Sequence, residues 1–328
     1  MRACKILSFS VVILLIAVLF VGVVTIPAAA QYDTMQFRYN AQHTSDYSPV
    51  AGSNTSNGNL TWSFTTGHYV FSCPAVVNGV VYVGSDDNNV YALNTTTGAK
   101  LWNYTTGGYV GSSPAVVNGV VYVGSYDKNT YALNAATGAK LWNYATRGSV
   151  TSSPAVVNGV VYVGSYDSNI YALNAATGAK LWNYATGDSV LSSPAVANGT
   201  VYVGSNDNNT YALNAATGAK LWNYTTRGYV TSSPAVANGT VYVGSDDNNI
   251  YALNAATGAK VWNYTTGSAV FSSPAVSNMV VYVGSNDGNV YAIGSAAMAT
   301  SQSTTPGFEV VLAFVGFVIA AYVVRRRR

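Results

Sequence analysis

Val150–Thr186 reads VTSSPAVVNGVVYVGSYDSNIYALNAATGAKLWNYAT, and its punctuation divides it into four short strands. The first, Ser153–Val157, stops at Asn158-Gly159. That pair suits a two-residue type I′ hairpin, whose central residues both need positive φ. The second, Val160–Gly164, is apolar on both faces and so needs cover on both sides. Ile170–Asn174 makes the third strand, and Lys180–Tyr184 the fourth, after a turn through Thr177-Gly178. No part of the stretch has the length or period of a helix.

This unit occurs six times. Trp62, Trp102, Trp142, Trp182, Trp222 and Trp262 recur every 40 residues, as do Pro74, Pro114, Pro154, Pro194, Pro234 and Pro274. Asp87, Asp127, Asp167, Asp207, Asp247 and Asp287 keep the same spacing. Such a period marks a propeller or a solenoid. A helical solenoid has no helices to use here, and a β-solenoid would stack one strand row per coil rather than a run of hairpins. A propeller sandwiches each four-stranded blade between two neighbours, which supplies the cover that Val160–Gly164 demands. The expected fold is therefore all-β, a six-bladed β-propeller of four-stranded blades over residues 59–294. Leu60–Phe64, with Trp62, precedes the first copy, and no tryptophan strand follows the last. It is predicted to pair as the outer strand of the blade at Pro274–Ile293, closing the ring and removing its free edges.

The repeat resembles the pyrroloquinoline-quinone (PQQ) type propeller repeat. Its tryptophan-docking pattern is matched by Ala172-x-Asn174-x-x-Thr177-Gly178-x-x-x-Trp182, and by the same spacing ending at Trp102, Trp142, Trp222 and Trp262. The resemblance implies that each outer-strand indole packs on the turn of the neighbouring blade, where a large flat ring locks two sheets together. Phe37–Thr44, within a lead-in at 31–58, looks like the segment found before the first such repeat, which gives His43 a packing role.

The two ends read as addresses. Residues 1–30 have the plan of a secretory signal: Arg2 and Lys5, the apolar run Val11–Val24, then Ala28-Ala29-Ala30 before Gln31. An uncleaved anchor is the alternative, although the run is short for a span. After a Ser/Thr-rich linker at 295–305 come Pro306-Gly307-Phe308, the apolar run Val310–Val324 and Arg325–Arg328. Residues 306–328 resemble the archaeal PGF-CTERM sorting signal. The resemblance implies recognition by an archaeosortase, removal of the tail and lipid attachment; a plain transmembrane anchor is the alternative. The terminal arginines place that end on the cytoplasmic side and the repeats outside.

Composition excludes several classes. Only 8% of the 328 residues are charged, against roughly 25% in an average soluble protein. Between Gln31 and Thr304 there are nine Lys or Arg, eleven Asp and no Glu, with no basic stripe, so no nucleic-acid partner is expected. Nine Asn-x-Ser/Thr sequons, at Asn54, Asn59, Asn94, Asn103, Asn198, Asn208, Asn223, Asn238 and Asn263, fit glycosylation of an exported surface.

Chemistry has few candidates. The Asp ring has the residue type for calcium, but each Asp sits in a turn with Asn two residues on, as Asn169 follows Asp167, and side-chain-to-backbone hydrogen bonds account for it. His43 and His68 are the only histidines, and Cys73 stands where the other copies have Ser113, Ser153, Ser193, Ser233 and Ser273. A PQQ-dependent dehydrogenase, which the resemblance brings as the enzyme alternative, implies an acidic and amide calcium–quinone site and often an adjacent cysteine pair. A single mature cysteine cannot form that pair, and near-identical copies offer six equivalent environments where catalysis needs unlike ones. No catalytic, cofactor-binding or metal residue is assigned. Differences between copies cluster before the first strand, as at His68, Asp188, Phe71, Leu191 and Phe271, and between the second and third, as at Asp86, Tyr126, Tyr166, Asn206, Asp246 and Asn286. Strand alternation puts both sets at one end, so a partner is expected on that face. The function expected is a non-catalytic, membrane-tethered module at the extracellular surface that binds a protein or a carbohydrate of the envelope. Scaffolding of envelope protein assembly, as by the propeller lipoprotein of outer-membrane protein insertion, is the other alternative.

Overall fold

Each 40-residue unit folds as an antiparallel sheet, in a computed structural model that describes residues 34–35 and 58–294. The signal at 1–30, most of the lead-in with His43, the linker and the sorting tail lie outside the described residues. In the third unit the strands are Ala155–Val157, Val160–Gly164, Asn169–Asn174 and Lys180–Ala185, paired in sequence order. Asn158 and Gly159 have φ of 49° and 76°, as a type I′ turn requires. The first strand is shorter than predicted, because it begins only after Pro154, which has no N–H for the ladder.

The core is a set of slabs between sheets. Trp142, Val150, Val156, Val161, Val163, Tyr171 and Leu173 form one buried cluster that takes residues from two successive units. The second strand is covered on both faces as predicted: Val161, Tyr162 and Val163 are all buried. Trp182 donates from Nε1 to the Ala215 carbonyl at 3.0 Å and lies flat on the next turn. That turn needs Gly218, with φ of 74°; a Cβ there would sit 2.7 Å from the indole. Trp102, Trp142 and Trp222 make the same contact with Ala135, Ala175 and Ala255. Trp62 joins them through Thr95, at 2.8 Å, and a Cβ on Gly98 would strike its ring.

Successive blades are also joined near their inner strands. The Cys73 N–H donates to Ser113 Oγ at 2.9 Å, Ser113 N–H to Ser153, and so on to Ser233 and Ser273. Val110, Val150, Val190, Val230 and Val270 are fully buried, each over the glycine that ends the second strand of the preceding blade.

The predicted clasp is corrected by the structure. Leu60–Phe64 forms no strand, and the sixth sheet keeps only three: Ala275–Ser277, Val280–Gly284 and Val290–Ile293. Val290 is 81% exposed, whereas Ile250 in the same register is 0% exposed. Gly284 has no valine over it, and Val70, which a closed ring would place there, is half-exposed. The first sheet instead gains a strand at its inner edge, Thr34–Met35 against Val76 and Val77, which the sequence did not suggest. Among the described residues no helix is long and apolar enough to cross a membrane.

Candidate functional site

The ring Asp is the most connected polar side chain of the repeat. Asp167 Oδ1 accepts from the backbone N–H and the side-chain amide of Asn169, at 3.1 and 3.2 Å. Its Oδ2 accepts from the Arg147 backbone N–H and the Tyr171 hydroxyl, both at 2.8 Å. The turn role predicted for this Asp is thus present, with two partners added. It ties the incoming inter-blade segment and the third strand to the same carboxylate. A Tyr four residues after every ring Asp was the available signal for the second partner.

These contacts shift titrations. Asp287 is held at about 2, first by the Tyr291 hydroxyl and then by the N–H groups of Asn289 and Gly267. At Asp247 burial pushes the carboxyl up, but donation from Arg227 N–H, Tyr251 and Asn249 outweighs it and the net shift is down. Tyr91 is pushed up to about 12 by burial and then by the Asp87 carboxylate. With four protein donors on its two oxygens, a ring Asp such as Asp167 has no lone pair directed at a metal. Among the described residues no three His, Cys, Asp or Glu side chains come together. These residues do not fit a calcium–quinone group. Cys73 is exposed and unpaired.

The variable loops do share one end. The Asp86 N–H donates to the Tyr69 carbonyl at 2.8 Å and the Tyr126 N–H to the Tyr109 carbonyl at 2.9 Å, which joins the two loop sets blade by blade. On that end the rings form a continuous series. Phe71 lies 5.9 Å from Tyr69, Tyr69 4.6 Å from His68, and His68 stacks 6.3 Å from Tyr109, nearly parallel. Tyr109 then meets Tyr126 at 5.8 Å, and Tyr126 meets Tyr166 at 6.4 Å. Phe71 is 72% and Tyr69 67% exposed, so this is a surface strip and not core. The sequence singled out His68, Phe71, Tyr126 and Tyr166 as variable positions but missed Tyr69 and Tyr109, which connect them. Asp188 stands apart, its carboxylate capping the N–H of its own neighbour Ser189.

Sheets paired in sequence order, docked by a repeated indole, define a PQQ-like propeller repeat protein. The chain belongs to the family whose model is described as outer membrane protein assembly factor BamB, matched at residues 41–110, 106–228 and 186–298. The PGF-CTERM motif matches residues 305–327, which marks a secreted cell-surface protein anchored to the membrane through its C-terminal end. No curated protein matches. Among solved structures, the computationally designed Ika8 protein is similar over 68% of this chain and 70% of its own, with 20% identity and a TM-score of 0.63. BamB from Moraxella catarrhalis matches over 72% of this chain and 86% of its own, with 22% identity and a TM-score of 0.50. Quinohemoprotein alcohol dehydrogenase from Comamonas testosteroni matches at 22% identity and a TM-score of 0.63, over 82% of this chain but only 53% of its own. At these identities the likeness is one of fold.

Proposed function

We propose that the protein is a non-catalytic binding module, tethered at the outer face of the membrane, that holds an envelope protein or glycan on the aromatic strip of its variable end. The observation that carries this reading is the unbroken series from Phe71 to Tyr166, on the end where the copies differ most. Flat, rigid rings give large contact area for little lost side-chain freedom. The non-catalytic part is supported by the sameness of the ring Asp environments, since each is bonded to its own turn and its neighbour's backbone.

The test replaces each ring by a residue found in the same register of another copy: His68→Gly, Tyr69→Ser, Phe71→Thr, Tyr109→Ser, Tyr126→Asn and Tyr166→Asn. These changes leave the blades folded, because other blades already carry them. Capture of partners from native envelope material should be lost in the variant, and full retention would refute the strip. Alcohol oxidation with added quinone, calcium and a dye acceptor should stay at background. Turnover above it would refute the non-catalytic reading.

A further inference from the structure

A second feature runs along the outer strands from the variable end and shares no residue with the strip. The register after each outer strand reads Gly67, Gly107, Arg147, Gly187, Arg227 and Gly267, so only two copies carry a cation there. Both arginines line a cleft. The first, of about 250 Å³, is formed by Tyr144, Thr146, Arg147, Asn169, Tyr171, Lys180 and Asn183. The second, of about 440 Å³, repeats the same positions 80 residues later around Tyr224, Arg227, Asn249, Lys260 and Asn263.

The donors in each cleft are arranged and incompletely used. Lys180 Nζ donates to Asn183 Oδ1 at 3.0 Å, and Asn183 Nδ2 donates to Asn169 Oδ1 at 2.9 Å. Lys260, Asn263 and Asn249 form the same relay. An ammonium has three donors and a guanidinium five, so most remain for a ligand. The nearest carboxylates are already engaged, since Asp167 and Asp247 accept the backbone N–H of Arg147 and Arg227 through Oδ2. The walls carry paired rings, Tyr144 with Tyr171 and Tyr224 with Tyr251, at 5.5 and 5.4 Å. Two cations suit a carboxylate, with the planar fork of arginine giving two parallel hydrogen bonds. Amides, hydroxyls and ring faces suit the rest of a sugar residue, and the cleft around Arg227 falls within the range of ligand sites, about 300–1,000 Å³, with the one around Arg147 slightly below it.

We propose that the clefts around Arg147 and Arg227 are two equivalent sites for the carboxylated residues of an acidic polysaccharide, which a single chain bridges. Bridging makes the second contact intramolecular, so polymer binds far more tightly than monomer. The inference goes beyond the aromatic-strip reading and survives its failure, because the two sites have no residue in common.

The test uses protein made in a host without N-glycosylation, so that the sequon Asn263-Tyr264-Thr265 stays bare. Polygalacturonate is the probe and neutral galactan the control, in affinity electrophoresis. Polygalacturonate should slow the native protein and galactan should not. Arg147→Gly or Arg227→Gly alone should weaken the effect about a hundredfold by removing bridging, at the lower end of the gain expected for paired sites. The double variant should abolish it. Both substitutions restore the residue of the other four copies, so folding is not at issue. Gly187→Arg should strengthen binding by building a third cleft with Tyr184, Asn209, Lys220 and Asn223. Unchanged binding by the double variant, or equal retardation by galactan, would overturn the proposal. Tighter Arg147-dependent binding of polyglutamate would overturn it too, by assigning the clefts to an acidic protein. The strip variant should bind polygalacturonate normally.

Discussion

Trp182→Ala removes the indole that joins the third blade to the fourth, and the structure sets the scale of the loss. The ring is buried, lies on Gly218, and sits 5.8 Å from the ring of Tyr162. Truncation of a buried Trp costs about 3–5 kcal/mol. The hydrogen bond adds little to this, because the Ala215 carbonyl keeps the Tyr162 hydroxyl at 3.0 Å and is not left bare. The expected total therefore stays near 3–5 kcal/mol, and it falls on one junction. In an array whose stability is a sum of unit and nearest-neighbour terms, a weakened junction uncouples the two sides. Urea unfolding followed by far-ultraviolet circular dichroism should change from one transition to two, the first with a smaller denaturant slope than in the native protein. Trp182→Phe, which keeps part of the area, should fall between. A loss below about 1 kcal/mol, or a single transition of unchanged slope, would refute the view that these indoles hold the blades together.

Gly218→Ala should cost clearly more than Gly199→Ala. Both residues have positive φ, but a Cβ at Gly199 meets nothing within 4 Å whereas at Gly218 it meets Trp182. Equal midpoints in thermal melts would discount the clash. Asp87, Asp247 and Asp287 are held below the ordinary carboxylate range, so their contribution is present above about pH 4 and lost as pH falls through their folded values. Asp287→Asn should flatten the acid limb of a stability–pH curve. Asp246 is the reverse case, raised by burial and then by the charge of Asp247, with Oδ1 buried and unpartnered. Its ionisation opposes folding, so Asp246→Asn should raise the melting temperature at pH 7 and not at pH 3. The tyrosines bonded to ring Asp are raised, Tyr91 to about 12, so stability present below pH 10 should fall as pH rises through their folded values. Phenolate absorbance should rise with unfolding rather than before it.

How much of this was legible depended on range. Asn158-Gly159 and the Asp167 turn were readable because each is settled within a few residues by φ preference or a side chain reaching its own backbone, whereas the docking of Trp182 on the next blade's turn followed from the resemblance of the repeat. The third and fourth strands were placed within a residue of their observed limits at Asn169–Asn174 and Lys180–Ala185. The Tyr171–Asp167 bond was visible as a spacing, yet its meaning depended on which way a strand presents the ring. The aromatic strip was missed in part because Tyr69 and Tyr109 lie 40 residues apart, with His68 stacked between them only in space.

The repeat alone carried the unit, its turns and the end on which the copies differ most, because those features are settled by residues close together in the chain. Closure was different. The sequence supplied a strand-like segment at Leu60–Phe64 and a last sheet lacking one, but pairing them depends on the rotation from blade to blade. Val110 and its equivalents seat on the glycines of the preceding sheet, but Gly284 has no such partner. The free edge at Val290, the run of rings across separate blades and the two clefts around Arg147 and Arg227 emerged only in three dimensions, because each depends on segments far apart in the chain.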